Sequence, residues 1–158
     1  MRLINQHDIP WQEKRSKSGK YQLAQKDLSL ALGGKKDTGT WGGGHPFDVA
    51  LVRVPEGARN WPLHTHTTQW EFYVVLSGRG SVRSDDGAHP VKAGDCFLLA
   101  PGESHQIASE GDGDLIFYVI ADNPQADISY YPESDKWFIK PQRKTFRLQE
   151  VGYYDGEE

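Results

Sequence analysis

The chain has 158 residues, 37% of them apolar, and 18 Lys and Arg stand against 22 Asp and Glu, which gives a net charge of −4. The length predicts one domain, and the acidic balance argues against nucleic acid as a partner, because a nucleic-acid site needs a basic stripe that neutralises phosphates. No apolar stretch is long enough to cross a membrane and none at the start is typical of a secretory signal, so we expect a cytoplasmic protein with no membrane partner.

Residues 1–44 predict an irregular, polar N-terminal extension with one short regular element. Residues 28–32 favour a helical turn that Asp27 would cap and Gly33 would end, although the same letters are compatible with a strand. The segment that follows is rich in glycine and predicts a loop.

From position 45 onward, short runs of β-forming residues alternate with turns rich in Gly, Pro and Asp. This pattern predicts an antiparallel barrel of the jelly-roll class. One typical hairpin turn is Asp85-Asp86-Gly87, and a long apolar run predicts a strand buried on both faces at 114–120. The expected strands are 48–54, 71–76, 80–84, 88–91, 114–120 and 127–131, the last of them a closing or edge strand, followed by a polar tail at 138–158.

Cys96 is the only cysteine, so no internal disulfide is possible. It lies in an apolar run and is interpreted as a small buried hydrophobe, with a thiol facing the pocket as the alternative. His45, in the loop before the first strand, is interpreted as a solvated residue, with an extra pocket or interface residue as the alternative. His7 and His89 are excluded as metal ligands because they lie in polar or turn segments.

Residues 62–105 carry a group of potential metal ligands. His64 and His66 are two positions apart and therefore share one face of a strand. A four-residue turn then leads to Glu71, and a hairpin at this turn would bring the carboxylate back beside the two imidazoles. His105 follows a second turn and is the candidate for a fourth ligand. Such a set suits a divalent ion such as Fe, Mn, Ni, Co or Zn.

The spacing of these residues resembles the two signature motifs of the cupin superfamily. The first motif contains His-x-His, a Glu after four residues and a Gly after six; the second contains Gly, then Pro-x-Gly-x-x-His, and a final Asn. The matching residues are His64, His66, Glu71 and Gly78 in the first motif, and Gly94, Pro101, Gly102 and His105 in the second.

The chain departs from these motifs at three places. Ala58 stands where the first motif has its leading Gly, and Ser109 stands where the second has its Asn. Six residues, where five are usual, separate Gly94 from Pro101. None of these positions supplies a metal ligand in the family, so the resemblance implies a metal site formed by His64, His66, Glu71 and His105.

Within the superfamily, the chain is similar to small bacterial single-domain cupins (monocupins) that share a late Tyr-Pro-x-Ser-x-Lys segment, here residues 131–136. The resemblance covers roughly residues 45–137. It implies an all-β fold, a double-stranded β-helix (jelly-roll) barrel over that range, with a single pair of motifs.

The fold does not fix the reaction, because cupins include dioxygenases, decarboxylases, isomerases and binding proteins. We expect a metal-dependent enzyme of oxygenase or isomerase type that acts on a small polar organic molecule. The alternative is a non-catalytic protein that binds or senses a small molecule in the same pocket. A phosphorylated sugar is disfavoured, because the motif strands show no cluster of Lys or Arg.

Tyr73 shares the inward face with Glu71 and is the candidate catalytic residue, as an acid or a hydrogen-bond donor to substrate; a packed aromatic side chain is the alternative. Gln69 and Trp70 are expected at the lip of the pocket. Small barrels commonly pair their edge strands with a second copy, so we expect a homodimer, with the N-terminal segment and residues 130–132 as candidate contacts.

Overall fold

Antiparallel strands make up most of the regular secondary structure in the computed structural model, which describes residues 1–158. Regular helix is confined to one short α-helix, α1 (Leu28–Ala31), and two 3-10 turns at Gln6–Asp8 and Thr40–Gly42. No helix has the length and apolar character needed to span a membrane. The strands are β1 (Gln12–Arg15), β2 (Gln22–Asp27), β3 (Phe47–Val54), β4 (Thr65–His66), β5 (Glu71–Ser77), β6 (Arg79–Ser84), β7 (Gly87–Lys92), β8 (Cys96–Leu99), β9 (Gln106–Ser109), β10 (Leu115–Asp122), β11 (Asp127–Tyr131), β12 (Lys136–Lys140) and β13 (Lys144–Phe146).

The strands form three sheets in which spatial neighbours are often distant in sequence. One sheet has six strands in the order β1-β2-β3-β10-β5-β8, a second has the order β13-β12-β11-β4, and a third the order β7-β6-β9. Side chains from the first two sheets line one cavity. This arrangement confirms the predicted double-stranded β-helix, although the sheets do not join into a closed ring.

The inward faces of β3, β10 and β5 carry the core at one end and the cavity at the other. Val54, Leu115 and Phe117 are fully buried, because alternate side chains on a strand point to the same face and these point inward. At the other end of the same strands, Ala121 of β10 is the register partner of both Asp48 and Glu71. The core cluster comprises Leu23, Ala50, Val52, Val54, Ala58, Tyr73, Val75, Val82, Leu99, Ile107, Leu115 and Phe117.

The structure corrects the expectation that the N-terminal extension is irregular. Strands β1 and β2 pair with each other, and β2 continues the main sheet by pairing with β3. Leu23 of β2 is 1% exposed, so this strand contributes to the core. The short helix is confirmed, but the side chain of Asp27 makes no cap hydrogen bond; its carboxylate accepts from Gln25 and Lys36 instead.

Three further details differ from the sequence expectations. Residues 138–146, expected in a polar tail, form the end of β12 and the whole of β13. Cys96 is exposed on the edge strand β8, because its side chain points out of the barrel. Strand β10 is not buried on both faces: Leu115, Phe117 and Ala121 are buried on the inward face, whereas the outward face is only half-buried.

Candidate metal centre

Three histidines from two distant segments of the chain converge at the cavity. His64 lies immediately before β4, His66 lies within it, and His105 lies immediately before β9. The backbones of His64 and His105 are directly paired, since each N–H donates to the other's carbonyl at 3.2 and 2.9 Å. One potential ligand atom from each of the three buried side chains lies within 4.8 Å of the others, so this cluster is able to hold a metal ion.

Hydrogen bonds at Nδ1 fix the orientation of all three rings. Nδ1 of His64 lies 2.9 Å from the carbonyl of Pro62, and Nδ1 of His105 lies 3.3 Å from the carbonyl of Glu103. Nδ1 of His66 lies 2.6 Å from a carboxylate oxygen of Asp127. Because each of these oxygens accepts a hydrogen bond from the Nδ1–H group, each ring carries its proton on Nδ1 and keeps a lone pair on Nε2, the form that a metal ligand requires.

The Nε2 atoms of His66 and His105 are buried and make no hydrogen bond. Nε2 of His105 lies 2.9 Å from Oε2 of Glu71, yet the contact lacks hydrogen-bond geometry, and Nε2 of His66 lies 3.8 Å from Oε1 of the same residue. Buried nitrogens without a partner are costly unless another group satisfies them. Three imidazole lone pairs beside one carboxylate therefore fit a divalent transition-metal ion.

Asp127 supports His66 from behind. It is almost completely buried and also accepts hydrogen bonds from the backbone N–H groups of Thr68 and Gln69, while Nζ of Lys140 lies 3.6 Å away. Burial opposes ionisation of this carboxyl, but the hydrogen bond and charge of His66, the backbone N–H of Thr68 and the charge of Lys140 outweigh it. The pKa of Asp127 therefore lies well below its ordinary value. A carboxylate that accepts from a ligand imidazole orients the ring and raises its basicity.

The site electrostatics keep His64 neutral and Glu71 charged. Burial, followed by the neighbouring imidazoles of His105 and His66, lowers the pKa of His64 from 6.5 to about 3. Burial also opposes ionisation of Glu71, but His105, His66 and His64 outweigh it and hold the pKa of Glu71 well below its ordinary value. Neutral imidazoles and an ionised carboxylate are the protonation states that a cation needs.

Tyr73 points inward, as its alternation with Glu71 predicted, and it is buried. Its hydroxyl donates to Oε2 of Glu71 at 2.7 Å, and its ring stacks on Phe97 with 4.7 Å between centroids. The pKa of the phenol lies well above its ordinary value, mainly because the group is buried and secondly because the carboxylate of Glu71 is adjacent. The hydroxyl is thus protonated and engaged with Glu71, and its role toward a substrate stays a prediction.

The cavity has a volume of about 300 Å³. It is lined by residues of the six-stranded sheet, which includes the N-terminal strands β1 and β2, and by residues of the sheet formed by β13, β12, β11 and β4. Lys14, Lys36 and Lys140 line it, although the motif strands themselves carry no cluster of basic residues. They lie on β1, on the loop after α1 and on β12, outside the motifs, so only the tertiary fold brings them together. Gln69 lines the cavity as expected for a lip residue, whereas Trp70 is exposed outside it.

Two of the three lysines have carboxylate partners. Nζ of Lys36 lies 3.0 Å from Asp27, and Nζ of Lys140 lies 3.7 Å from Asp37. Lys14 donates only to the amide oxygen of Gln25, at 2.8 Å, and burial lowers its pKa. Lys14 is therefore a half-buried cation at the cavity wall without a carboxylate partner.

The remaining candidates lie outside the cavity. His45, His89 and Cys96 do not line it. His89 is exposed and contacts Asp86 in its own hairpin, which agrees with its exclusion as a ligand. Arg53 pairs with Glu13 and Asp114 on the outer face of the sheet, and Arg83 pairs with Glu133 at 2.6 Å on the surface, so neither arginine is an anion contact of the cavity.

Residues 50–121 match the model of the cupin domain family, Cupin_2. Together with the double-stranded β-helix fold, this match supports assigning the chain to the cupin superfamily. The matched range contains all three histidines of the cluster and Glu71.

Individual relatives support the same family. The chain is 35% identical over 71 residues to the oxalate-binding protein of Thermotoga maritima, a match that covers 45% of this chain and 58% of that protein. The chain thus spans about half the length of the curated relatives that it matches.

Two solved structures share the fold over nearly their full length. A protein from Acidithiobacillus ferrooxidans, provisionally described as a sugar phosphate isomerase, superposes with a TM-score of 0.77 at 18% identity and covers 95% of this chain and 96% of its own. A sugar phosphate isomerase from Silicibacter pomeroyi superposes with a TM-score of 0.74 at 23% identity, and the match covers 98% of this chain and 94% of that protein. At this level of identity, the similarity establishes the fold alone.

The lowered pKa of His64 predicts how the metal-free protein responds to acid. Between pH 6.5 and about 3, the unfolded chain protonates this imidazole and the folded protein does not, so stability falls as the pH falls through that window. One proton contributes a slope of up to about 1.4 kcal/mol per pH unit. Urea unfolding in the presence of a metal chelator, repeated at several pH values between 7 and 5, measures this slope of stability against pH. His64→Gln should flatten the slope and the exposed control His89→Gln should not; equal slopes in both variants would contradict the assignment.

Proposed function

We propose that this cupin binds a divalent transition-metal ion through His64, His66, His105 and Glu71, and that it is a metal-dependent enzyme of oxygenase or isomerase type. Its substrate is a small, oxygen-rich anion. One observation carries the proposal: the Nδ1 hydrogen bonds leave an Nε2 lone pair on each of three clustered imidazoles, beside the carboxylate of Glu71. The ion is Fe, Mn, Ni, Co or Zn, which all accept imidazole and carboxylate ligands.

A bound divalent ion would polarise an oxygen of the substrate or, if it is iron, allow chemistry with dioxygen. The protein's own residues then have separable tasks. Asp127 holds His66 in place, and Tyr73 holds Glu71 through its hydroxyl. Phe117 and Val119 supply an apolar wall that limits the water around the reacting atoms.

The charge of the cavity supports an anionic substrate. Three neutral imidazoles and one carboxylate leave a divalent ion with net positive charge, which favours a chelating oxygen anion. Lys14 adds a cation without a carboxylate partner at the same cavity. The relative from Thermotoga maritima is named for binding oxalate, a small dicarboxylate, which agrees with this class of ligand.

A second candidate function is binding without turnover. The name of that same relative states binding only, and it is 35% identical over the matched segment. A binding protein would use the same metal and the same cavity. Turnover therefore separates the two functions, whereas affinity does not.

Loss of a metal ligand should remove the metal and leave the barrel folded. For His64→Ala and Glu71→Ala we expect metal content near zero after purification without an affinity tag, with an unchanged circular dichroism spectrum. The control His89→Ala alters an exposed imidazole outside the cavity and should retain metal like the wild type. Undiminished metal in His64→Ala and Glu71→Ala would contradict the assignment of the ligands.

Metal identity followed by substrate screening should separate enzyme from binder. Mass spectrometry of the purified protein identifies the ion, and the metal-loaded protein is then incubated with oxalate, hydroxy acids, phosphorylated sugars and phenolic diols. Oxygen uptake indicates an oxygenase, and interconversion of isomers without oxygen uptake indicates an isomerase. Saturable binding with no product from any of these compounds would favour the binding protein.

We also propose that the protein is a homodimer located in the cytoplasm. The N-terminal segment, an expected contact, packs on its own barrel instead: Trp11 lies over Lys26, 4.9 Å from Nζ to the ring centroid. The uncovered part of the main sheet is the outer face of β5 and its edge strand β8, where Phe72 and Leu98 are cross-strand partners and both are exposed. An apolar face beside an unpaired edge suits a second copy.

Sedimentation tests the dimer. The wild type should have twice the mass of the 17.8 kDa chain, and Leu98→Glu should shift it to monomer, because a charge would be buried at the interface. Leu148→Glu, at a site that is 55% exposed and lies outside both the candidate contact segments and strands β5 and β8, is the control. A monomeric wild type at micromolar concentration would contradict the proposal.

A further inference from the structure

We infer that Asp48 is a second ligand-binding carboxylate in the cavity, and that it accepts a hydrogen bond from a hydroxyl group of a polyhydroxylated acid whose carboxylate end lies at the metal. This inference rests on the proposed metal-dependent function. It narrows the substrate to acids that carry hydroxyl groups several carbons from the chelating end.

The strand register places Asp48 across the cavity from Glu71. Both residues line the cavity, and both are register partners of Ala121 on the strand between them. Because adjacent strands lie about 4.8 Å apart, the Cα atoms of Asp48 and Glu71 are separated by roughly 10 Å. Ala121 has a small side chain, so the space between the two carboxylates is open to a ligand.

The hydrogen bonding of Asp48 is incomplete. It is only 9% exposed, and its Oδ1 is buried without any partner. Its Oδ2 accepts only one long hydrogen bond, 3.4 Å from the backbone nitrogen of Asp37, and no Lys, Arg or His lies within ion-pair distance. A buried carboxylate in this condition is unfavourable unless a further donor satisfies it.

Asp127 shows how a carboxylate that supports the structure is satisfied in this same protein. Its two oxygens accept from the ring of His66 and from the backbone of Thr68, with Lys140 near by. Asp48 has no imidazole or ammonium partner, and its one backbone donor, the N–H of Asp37, lies at 3.4 Å. The contrast indicates that the missing donor comes from a ligand that enters the cavity.

The surrounding charges select a hydroxyl group as that donor. An ammonium group would also satisfy Asp48, but Lys14, the lysine of this cavity without a carboxylate partner, would repel it. A hydroxyl donates a hydrogen bond without carrying charge. An acid that spans from the metal to Asp48 must be longer than a two-carbon diacid, so oxalate would bind at the metal without contacting Asp48.

Calorimetry with three acids on the metal-loaded protein tests the inference. The probes are gluconate, hexanoate as its analogue without hydroxyl groups, and oxalate. We expect the wild type to prefer gluconate over hexanoate. Asp48→Asn should weaken gluconate binding about 10-fold and Asp48→Leu up to about 100-fold, the range for loss of a hydrogen bond to a charged group. Oxalate affinity and metal content should not change in either variant.

The control variant is Asp114→Asn, whose carboxylate is exposed and paired with Arg53 outside the cavity; it should bind all three acids like the wild type. Thermal unfolding adds a readout that separates ligand binding from structural support. Because Asp48 lacks partners, Asp48→Leu should not lower the unfolding temperature, and a marked loss would show that the carboxylate supports the fold.

Distinct results overturn distinct claims. A wild type that takes up no divalent metal overturns the proposed function and this inference together. A wild type that binds metal and oxalate but shows no preference for gluconate over hexanoate overturns the inference alone. So does a gluconate preference that persists in both Asp48→Asn and Asp48→Leu while metal content is unchanged.

Discussion

The hydrogen bonds at three Nδ1 atoms are the constraint on which the site depends. An imidazole that donates from Nδ1 to a fixed oxygen keeps its lone pair on Nε2 and has one favoured ring orientation. Two of the acceptors, at Pro62 and Glu103, are backbone carbonyls two residues before the ring they hold, and the third is Asp127. Each ring is therefore oriented by the backbone or by a buried carboxylate, without help from an ion.

The sheet topology makes this constraint possible. His64 and His105 are far apart in sequence, but their backbones pair directly, so the two rings are fixed to one rigid point of the barrel. Glu71 begins a strand that is paired on both sides, which fixes the depth of its carboxylate. The row that contains Asp48, Ala121 and Glu71 then extends the polar cavity away from the histidines. Substrate chemistry and strand register are in this way linked.

The sequence was most informative about side chains whose orientation follows from the two-residue period of a strand. The two-residue spacing of His64 and His66 and the alternation of Glu71 with Tyr73 fixed the faces of these side chains, because a strand has a period of two. The Asp-Gly turn located the hairpin of β6 and β7 for a similar reason. The strands of the N-terminal segment were missed because β1 and β2 are rich in polar residues such as Gln25 and Lys26. Only the pairing of β1 with β2, and of β2 with β3, reveals them.

Features that depend on distant segments were not predictable. Asp127 and Lys140 follow the motifs, and Lys14 precedes them, so no spacing rule connects them to the histidines. Cys96 was interpreted as buried because it stands in an apolar run, but β8 is an edge strand whose outer face is open, and the side chain lies on that face. The phase of a short apolar strand is not set by its own residues when both faces are apolar.

The most direct test of the metal centre is X-ray absorption spectroscopy of the protein loaded with one equivalent of zinc or iron. We expect imidazole scattering from three histidine nitrogens together with at least one oxygen ligand, at metal–ligand distances of about 2.0–2.2 Å. An ion surrounded by oxygen alone, with no imidazole signal, would show that the three Nε2 atoms do not bind it and would contradict the centre described for this barrel.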